Sequence, residues 1–145
     1  MTPEQLLRKY YALFNERRLD EAGELVAPNA SFHYLPTRQH LVGRAGYRAL
    51  AAGWLIAFED AVASVESVET INPYTVRVQL TGRGTHTGAL VFGDHLTIPP
   101  TGRRVELRAV HTTEVRNDQI VRVVFDFDLP QLQQQLAATE IAHAG

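Results

Sequence analysis

Residues 81–128 read TGRGTHTGALVFGDHLTIPPTGRRVELRAVHTTEVRNDQIVRVVFDFD, and the alternation of apolar and polar side chains in this segment sets the architecture of the chain. A period of two residues is typical of β-strands that bury one face and expose the other. A Pro-Pro-Thr-Gly loop at residues 99–102 interrupts the alternation. The segment therefore predicts long strands separated by a loop.

Two strands are predicted at its end, over Arg104 to Val115 and Gln119 to Asp128. Only a turn fits between them, at residues 116–118, so they form an antiparallel hairpin. Along the second strand one face carries apolar side chains, namely Val121, Val123, Phe125 and Phe127. That face is expected to be covered, and Asp126 is expected to point to the outside as a surface or dimer-interface carboxylate.

The same period places two histidines on inward faces. His111 shares its face with Leu107 and Ala109, and unbroken alternation from Leu80 also turns His86 inward, unless a bulge at the intervening glycines resets the register. An imidazole can give or take a proton near neutral pH. Two such groups in one cavity indicate acid–base chemistry. The alternative is that each is a core or rim histidine bonded to a backbone group.

The N-terminal part of the chain predicts helices. Thr2 and Gln5 form a capping box before a first helix, and a second short helix extends from Leu19 to Val26 and ends at Pro28 and Asn29. A brief strand over Ala30 to Leu35 and a polar loop to Gly43 follow. A third helix is predicted from Arg44 to Phe58, with Trp54 in the core or in a pocket wall.

Strands return after the third helix. Residues 61–71 and 74–80 are predicted as two strands joined by a turn at Asn72 and Pro73. A short C-terminal helix is predicted to begin at Pro130, with Asp128 as its cap. Helices followed by antiparallel strands describe an α+β domain, and we expect one domain over residues 1–145.

Composition narrows the possible functions. The 145 residues carry a net charge of −2 with scattered basic residues, which argues against a nucleic-acid partner. Cysteine is absent, so disulfides and thiolate chemistry are excluded. No apolar run approaches the roughly 18 residues of a membrane span, and the N-terminus does not resemble a signal peptide. We expect a cytoplasmic protein with no membrane partner. The histidines show no tight ligand spacing, so no metal is expected.

Several local signatures carry a resemblance to a known family. They are GTHTG at 84–88, IPPTGRRVE at 98–106, DQIV at 118–121 and FDLPQLQQQL at 127–136. With these, the chain resembles the SnoaL-like polyketide cyclase family of the nuclear-transport-factor-like superfamily. The resemblance implies a cystatin-like cone, in which a curved, mostly antiparallel sheet packs against N-terminal helices and encloses a pocket. It also implies a homodimer and an intramolecular aldol closure, without a cofactor, on an aromatic polyketide ester.

The resemblance also assigns positions. His86 matches the histidine of the family's GxHxG pattern and His111 the histidine on the next long strand. The family's catalytic aspartate corresponds to Phe125, and a second polar site corresponds to Phe32. In the related ketosteroid isomerases, Tyr10 would match the oxyanion tyrosine and Tyr34 would lie near the base.

The leading hypothesis is a cyclase or isomerase acting on a hydrophobic carbonyl compound. His111 and Tyr10 would donate hydrogen bonds to an enolate oxygen, and His86 or His33 would carry the proton. The expected pocket walls are Phe14, Phe32, Tyr34, Trp54 and Phe125. Tyr11, next to Tyr10, could equally direct its hydroxyl inward, and His33 could be ordinary surface. Asp94 and His95 lie in a long loop, either at the pocket mouth or at a solvated tip. The alternatives are a binding protein that has lost the acid and a dimerisation domain.

Overall fold

The computed structural model describes the backbone of residues 1–94 and 96–144 and the side chains of residues 1–94 and 96–137. The elements along the chain are α1 (Pro3–Asn15), α2 (Leu19–Glu24), β1 (Val26–Tyr34), β2 (His40–Val42), α3 (Gly43–Ala57), β3 (Val62–Asn72), β4 (Thr75–Thr85), β5 (Leu90–Phe92), β6 (Leu96–Ile98), β7 (Arg104–Arg116), β8 (Gln119–Phe127) and α4 (Leu129–Ala144).

The main sheet has six strands in the order β2-β1-β8-β7-β4-β3. Neighbouring strands are antiparallel except β1 and β8, which are parallel. The last strand of the chain thus lies beside the first. Helix α3 packs on β1 and helix α1 on β3. Residues of both helices line one cavity together with residues of β4, β7 and β8, so both helices cover the same face of the curved sheet. The predicted α+β cone with a mostly antiparallel sheet is confirmed.

The ends of the helices follow from local chemistry. Thr2 and Gln5 cap each other's backbone N–H groups at the start of α1, as the sequence predicts. Asp128 accepts a hydrogen bond from the N–H of Gln131 at 3.0 Å and so caps α4. At the tip of the β7–β8 hairpin, Asn117 and Asp118 both have positive φ, of 52° and 58°. Two consecutive left-handed residues match the twist of the strands, which makes the turn tight.

Three parts of the sequence-based assignment are wrong. The C-terminal helix, predicted to be short, has 16 residues. The second helix ends at Glu24, and β1 begins at Val26 and continues through Pro28 and Asn29. These two residues fall where the register between β1 and β8 shifts, so the missing N–H of proline leaves no gap in the ladder. The strands β2, β5 and β6 were not predicted, because three residues are too few to show a period.

From residue 122 onward, the faces of β8 agree with the period of two. Val123, Phe125 and Phe127 are buried, whereas Arg122 and Asp126 are exposed. Val121, predicted on the covered face, is half-buried, because the register between β7 and β8 shifts there. None of the helices in the described part of the chain has the length and apolar character that a membrane crossing requires.

Candidate active site

A cavity of about 130 Å³ lies between α1, α3 and the covered face of the sheet. Its wall is aromatic and aliphatic and consists of Tyr10, Tyr11, Phe14, Tyr34, Tyr47, Leu50, Trp54, Ala61, Val62, Ala63, Leu80, Leu107, Ala109, His111, Phe125 and Phe127. Among the described side chains, no Asp, Glu, Lys or Arg belongs to this wall. The polar atoms of the cavity therefore come from tyrosines, one tryptophan and one histidine.

Tyr11 and His111 form a hydrogen-bonded pair in the wall. The Tyr11 hydroxyl lies 2.6 Å from Nδ1 of His111, across a sequence separation of 100 residues. This distance is shorter than is usual for an N–H donor and ordinary for an O–H donor. We therefore assign the donated proton to Tyr11, which places the ring proton of His111 on Nε2.

Burial holds this pair in its neutral form. Desolvation of the half-buried His111 lowers the pKa of its imidazole to about 3, because the charged ring loses part of its solvation. Burial likewise raises the pKa of the Tyr11 hydroxyl far above its ordinary value, and the nearby Tyr47 and Tyr34 add to the effect. Both groups are thus neutral at physiological pH, and the pair can donate hydrogen bonds without carrying charge.

A second hydrogen bond in the wall joins Trp54 and Tyr34. The indole Nε1 of Trp54 donates to the Tyr34 hydroxyl at 3.0 Å. The Tyr34 ring also stacks on Phe125, with centroids 4.4 Å apart and planes inclined by 12°. Burial raises the pKa of the Tyr34 hydroxyl well above its usual value, while the Trp54 bond slightly opposes this shift. Tyr34 and Trp54 both line the cavity, as predicted.

Phe125, at the position that the resemblance assigns to a catalytic aspartate, has its ring in the wall. His111 meets the Phe125 ring almost edge-on, with centroids 4.5 Å apart at 80°. Phe32 lies behind Phe125 at 6.1 Å and is fully buried. Phe14, Trp54 and Phe125 thus line the cavity as expected, but Phe32 does not, because Phe125 and Tyr47 separate it from the open space.

Tyr10 lines the cavity but is not the tyrosine that bonds His111. Its ring packs edge-on against Tyr11, with centroids 5.1 Å apart, and is tilted by 50° against Tyr47, with centroids 5.2 Å apart. Tyr47, on α3, is almost fully buried, and its hydroxyl makes no hydrogen bond with any described residue. Burial raises the pKa of Tyr47 to about 12, an effect that the charge of Arg48 partly opposes. The aromatic face of α1 therefore supplies Tyr11, rather than Tyr10, to the polar pair.

His86 is buried, as the strand period predicts, but it does not line the cavity. Its Nδ1 accepts hydrogen bonds from the hydroxyl of Thr101 at 3.0 Å and from the N–H of the same residue at 3.3 Å. Its backbone bonds to Arg103 and Gly102 at 2.9 and 2.8 Å. Burial lowers the pKa of His86, although backbone groups of Gly88 and Ile98 oppose the shift. The ring fastens the Pro-Pro-Thr-Gly loop to the end of β4.

The rest of the GTHTG segment holds the end of α3. The N–H groups of Thr87 and Gly88 both donate to the carbonyl of Ala57, at 3.0 and 3.1 Å. The carboxylate of Asp60 accepts from the N–H and the hydroxyl of Thr85. A Cβ at Gly88 would lie 1.9 Å from the carbonyl oxygen of Ile56, so only glycine fits. The GTHTG segment therefore has an architectural role in this chain.

His33 lies on the outer side of β1. Phe32 and Tyr34 point toward the core, so the strand period turns His33 away from the cavity. Its ring stacks on His40 of β2, with centroids 4.3 Å apart and planes inclined by 10°. Partial burial, and next the neighbouring His40 and Arg122, lower the pKa of His33. The expectation that His33 or His86 shares a cavity with His111 is wrong in its geometry.

The acidic candidates lie outside the cavity. Asp126 and Asp128 are exposed, as the strand period predicts, and Asp94 is exposed in the turn between β5 and β6. His95 lies outside the described residues. Among the described side chains, no cluster of three histidines or carboxylates could hold a metal ion.

Some wall residues were not identified from the sequence as site residues. Tyr47 and Leu50 precede the predicted wall residue Trp54 at helical spacing on α3, and this pattern would have indicated one shared face. Phe127 shares its face with Phe125, two residues earlier. In each case a periodicity visible in the sequence pointed to the cavity.

Comparison with known proteins places the chain in a family. The model of the SnoaL-like polyketide cyclase family matches residues 4–136. No curated protein sequence matches the chain. Among solved structures, IdmH of Streptomyces antibioticus, a candidate polyketide cyclase, superposes with a TM-score of 0.77 at 26% identity, over 94% of this chain and 99% of IdmH.

Two further structures support the same fold. A candidate SnoaL-like polyketide cyclase of a Jannaschia species has a TM-score of 0.75 at 21% identity, over 95% of this chain and 96% of its own. A protein of Catenulispora acidiphila with a ketosteroid isomerase-like fold has a TM-score of 0.74 at 14% identity, over 94% of this chain and 95% of its own. With a family model that spans nearly all of the sequence, the chain belongs to the SnoaL-like polyketide cyclase family.

Proposed function

We propose that the protein is a cofactor-independent cyclase or isomerase that moves a proton beside a carbonyl group of a hydrophobic, polyketide-like molecule. The observation that carries the proposal is the 2.6 Å hydrogen bond between Tyr11 and His111 in a cavity wall without carboxylates. Family membership and the likeness to IdmH, a candidate polyketide cyclase, support natural-product polyketides as the substrate class.

The pair can transfer a proton without a carboxylate. As the substrate carbon releases its proton to the Tyr11 oxygen, the Tyr11 hydroxyl proton passes to Nδ1 of His111. The product is an enolate beside an imidazolium, and their opposite charges offset the cost of charging a half-buried ring. Attack of the enolate carbon on a second carbonyl forms the ring bond and an alkoxide. The two protons then return, from His111 to Tyr11 and from Tyr11 to the alkoxide, which leaves the pair neutral.

A carbon between two carbonyl groups suits such a weak base. Its proton is acidic enough to be removed without a carboxylate, whereas an isolated ketone demands a stronger base. We therefore infer that the substrate presents a β-dicarbonyl unit to Tyr11. Neither His86 nor His33 takes part, since neither lines the cavity.

Hydrogen–deuterium exchange tests the proton transfer directly. We expect the protein to catalyse exchange at the central carbon of benzoylacetone, an aryl β-diketone, in D₂O followed by NMR. Tyr11→Phe keeps the ring and removes the hydroxyl, and it should slow the catalysed exchange by about 10²-fold or more.

A matched control is Tyr74→Phe, since Tyr74 is exposed and does not belong to the cavity wall. Its exchange rate should equal that of the unmodified protein. Exchange at the uncatalysed rate in the unmodified protein, or full exchange in Tyr11→Phe, would remove the support for catalysis.

A second candidate function is binding without turnover. Phe125 stands at the position that the resemblance assigns to the catalytic acid, and the low pKa of His111 makes it a weak base. On this alternative the protein holds a hydrophobic aromatic molecule through the same wall and transforms none of it. Tight binding of benzoylacetone with no acceleration of exchange would favour this function.

We also propose that the protein forms a homodimer through the outer face of the sheet. An open groove of about 870 Å³ crosses this face, and charges of both signs line it: Glu66, Arg83, Glu106, Arg108, Asp126 and Asp128. A two-fold contact brings the same surface of two copies together, so such a face must complement itself. Mixed charges satisfy this condition.

A further inference from the structure

The hydrogen bond between Trp54 and Tyr34 determines how the Tyr34 hydroxyl can be used. An indole N–H is only a donor, so the Tyr34 oxygen is the acceptor in this bond. The hydroxyl proton of Tyr34 is then left for another group. Among the described residues no acceptor bonds it, and Tyr34, with 4% of its surface exposed, lies in the cavity wall. The acceptor for this proton is therefore a molecule bound in the cavity.

Phe125 fixes this geometry. Its ring stacks on Tyr34, with centroids 4.4 Å apart, and is inclined by 80° to the His111 ring, with centroids 4.5 Å apart. Because Phe125 pairs with Tyr34 of β1 on one side and with His111 of β7 on the other, its ring lies between these two side chains. An aspartate at this position would be shorter and could not stack. The cavity therefore presents two neutral hydrogen-bonding groups separated by one aromatic ring.

We propose that Tyr34 is a second ligand donor, held in its donating orientation by Trp54, and that the cavity selects neutral aromatic molecules with two carbonyl-type oxygens. A charged ligand is disfavoured, because no described ionic side chain lines the wall to pair with it. The proposal rests on the proposed function only in taking this cavity as the ligand site. Tyr34 would be a specificity-determining residue, and Trp54 and Phe125 would position it.

Binding measurements with two probes test this assignment. Benzoylacetone carries one ring and two carbonyl oxygens, and n-butylbenzene has a similar shape without either oxygen. The readout is the ratio of their dissociation constants, measured by calorimetry. We expect the unmodified protein to prefer the diketone and Tyr34→Phe to reduce this preference by about tenfold, as expected for one lost hydrogen bond. The affinity for n-butylbenzene should stay the same.

A double-mutant cycle tests the role of Trp54. Trp54→Phe removes the N–H and should reduce the preference by about threefold, since Tyr34 loses its fixed orientation. In the Tyr34→Phe background the same change should leave the ratio unaltered. Changes in wall packing are monitored by the n-butylbenzene affinity. An unmodified protein with no preference, an unchanged ratio in Tyr34→Phe, or additive effects of the two substitutions would each overturn the proposal.

The protein could also show a preference that depends on Tyr34 and yet catalyse no proton exchange. That result would support the role of Tyr34 and would contradict only the proposed catalytic function.

Discussion

His111 makes the stability of the protein depend on pH. Its pKa is about 3 in the folded chain, against 6.5 for a free imidazole. Between these values the unfolded chain binds more protons than the folded chain. The contribution of His111 to the free energy of unfolding is therefore complete above about pH 6.5 and is lost as the pH decreases toward about 3. Each unit of the pKa difference corresponds to about 1.4 kcal/mol.

We expect His111→Gln to flatten this dependence. From about pH 7 to about pH 4, the free energy of unfolding of the unmodified protein should fall by on the order of 3 kcal/mol more than that of the variant. Denaturant unfolding at several pH values measures the difference. Because His86 and the carboxylates remain in both proteins, the comparison isolates His111. Equal slopes would show that the folded protein holds this ring in a solvated position.

Tyr47 is a buried residue whose substitution should not lower the free energy of unfolding. Its hydroxyl is buried and has no partner among the described residues, which costs free energy that a phenylalanine avoids. We expect Tyr47→Phe to leave the free energy of unfolding unchanged or to raise it by about 1 kcal/mol. The exposed Tyr74→Phe is the matched control and should have no effect. A loss of stability in Tyr47→Phe would indicate a hydrogen bond at this hydroxyl.

At the scale of single residues, strand positions were more predictable than helix positions. A period of two turned His111 and Phe125 inward, because adjacent strand residues point to opposite faces. On α1, however, Tyr10 and Tyr11 are both buried, at 5% and 6% exposure, and neighbouring helix residues share a wide face. Their order in the sequence could not show which hydroxyl meets His111. That choice depends on how α1 is rotated against the sheet.

At the scale of elements, the GTHTG segment joins the sheet to the end of α3. Gly88→Ala would place a Cβ 1.9 Å from the Ile56 carbonyl, so one of the two backbones must move. We expect a loss of several kcal/mol, on the scale of the larger core substitutions. Gly53, in the same helix, has no atom near its would-be Cβ. Gly53→Ala should therefore stabilise the protein by about 0.5–1 kcal/mol through helix propensity. Thermal unfolding of both variants measures the contrast, and a tolerated Gly88→Ala would contradict it.

His86 belongs to the same contact, and its substitution should act on folding rather than on chemistry. His86→Ala removes the acceptor for the Thr101 hydroxyl and N–H and leaves a space beside Phe58, whose ring lies 5.3 Å from the imidazole. A loss of about 2–4 kcal/mol is expected. At a temperature where the variant is folded, benzoylacetone exchange should persist. A fully stable variant without exchange would instead place His86 in the reaction.

Elements with strong signals were predicted correctly, and short ones were not. Long strands and capped helices carry many repeats of their period, as in β7, β8 and α1. The three-residue strands β2, β5 and β6 exist because neighbouring segments pair with them, as His33 does with His40. The early end of α2 has a similar origin, since Ile120 donates to the carbonyl of Leu25 at 2.7 Å and draws the chain into the sheet. Such tertiary contacts leave no signal in the local sequence pattern.

For the whole molecule, the proposed homodimer predicts a dependence on surface charge. Arg108 is exposed within the groove on the outer sheet face. Reversal of its charge in Arg108→Glu would add a carboxylate beside Glu106 and Asp126 on a face that meets its own copy. We expect the variant to sediment as a monomer at concentrations where the unmodified protein is a dimer. Lys9→Glu, an exposed reversal on α1, is the control and should remain dimeric. A monomer at every concentration of the unmodified protein would contradict the assembly.

The chain carries a single tryptophan, and Trp54 stands in the cavity wall with its indole N–H bonded to Tyr34. Indole emission responds to polarity and to hydrogen bonding, so the fluorescence spectrum of this protein has one source and that source touches the ligand space. Every occupant of the cavity, coloured or not, should therefore alter the emission of the unlabelled protein. A library of small molecules can therefore be screened by the intrinsic fluorescence of Trp54, without a label.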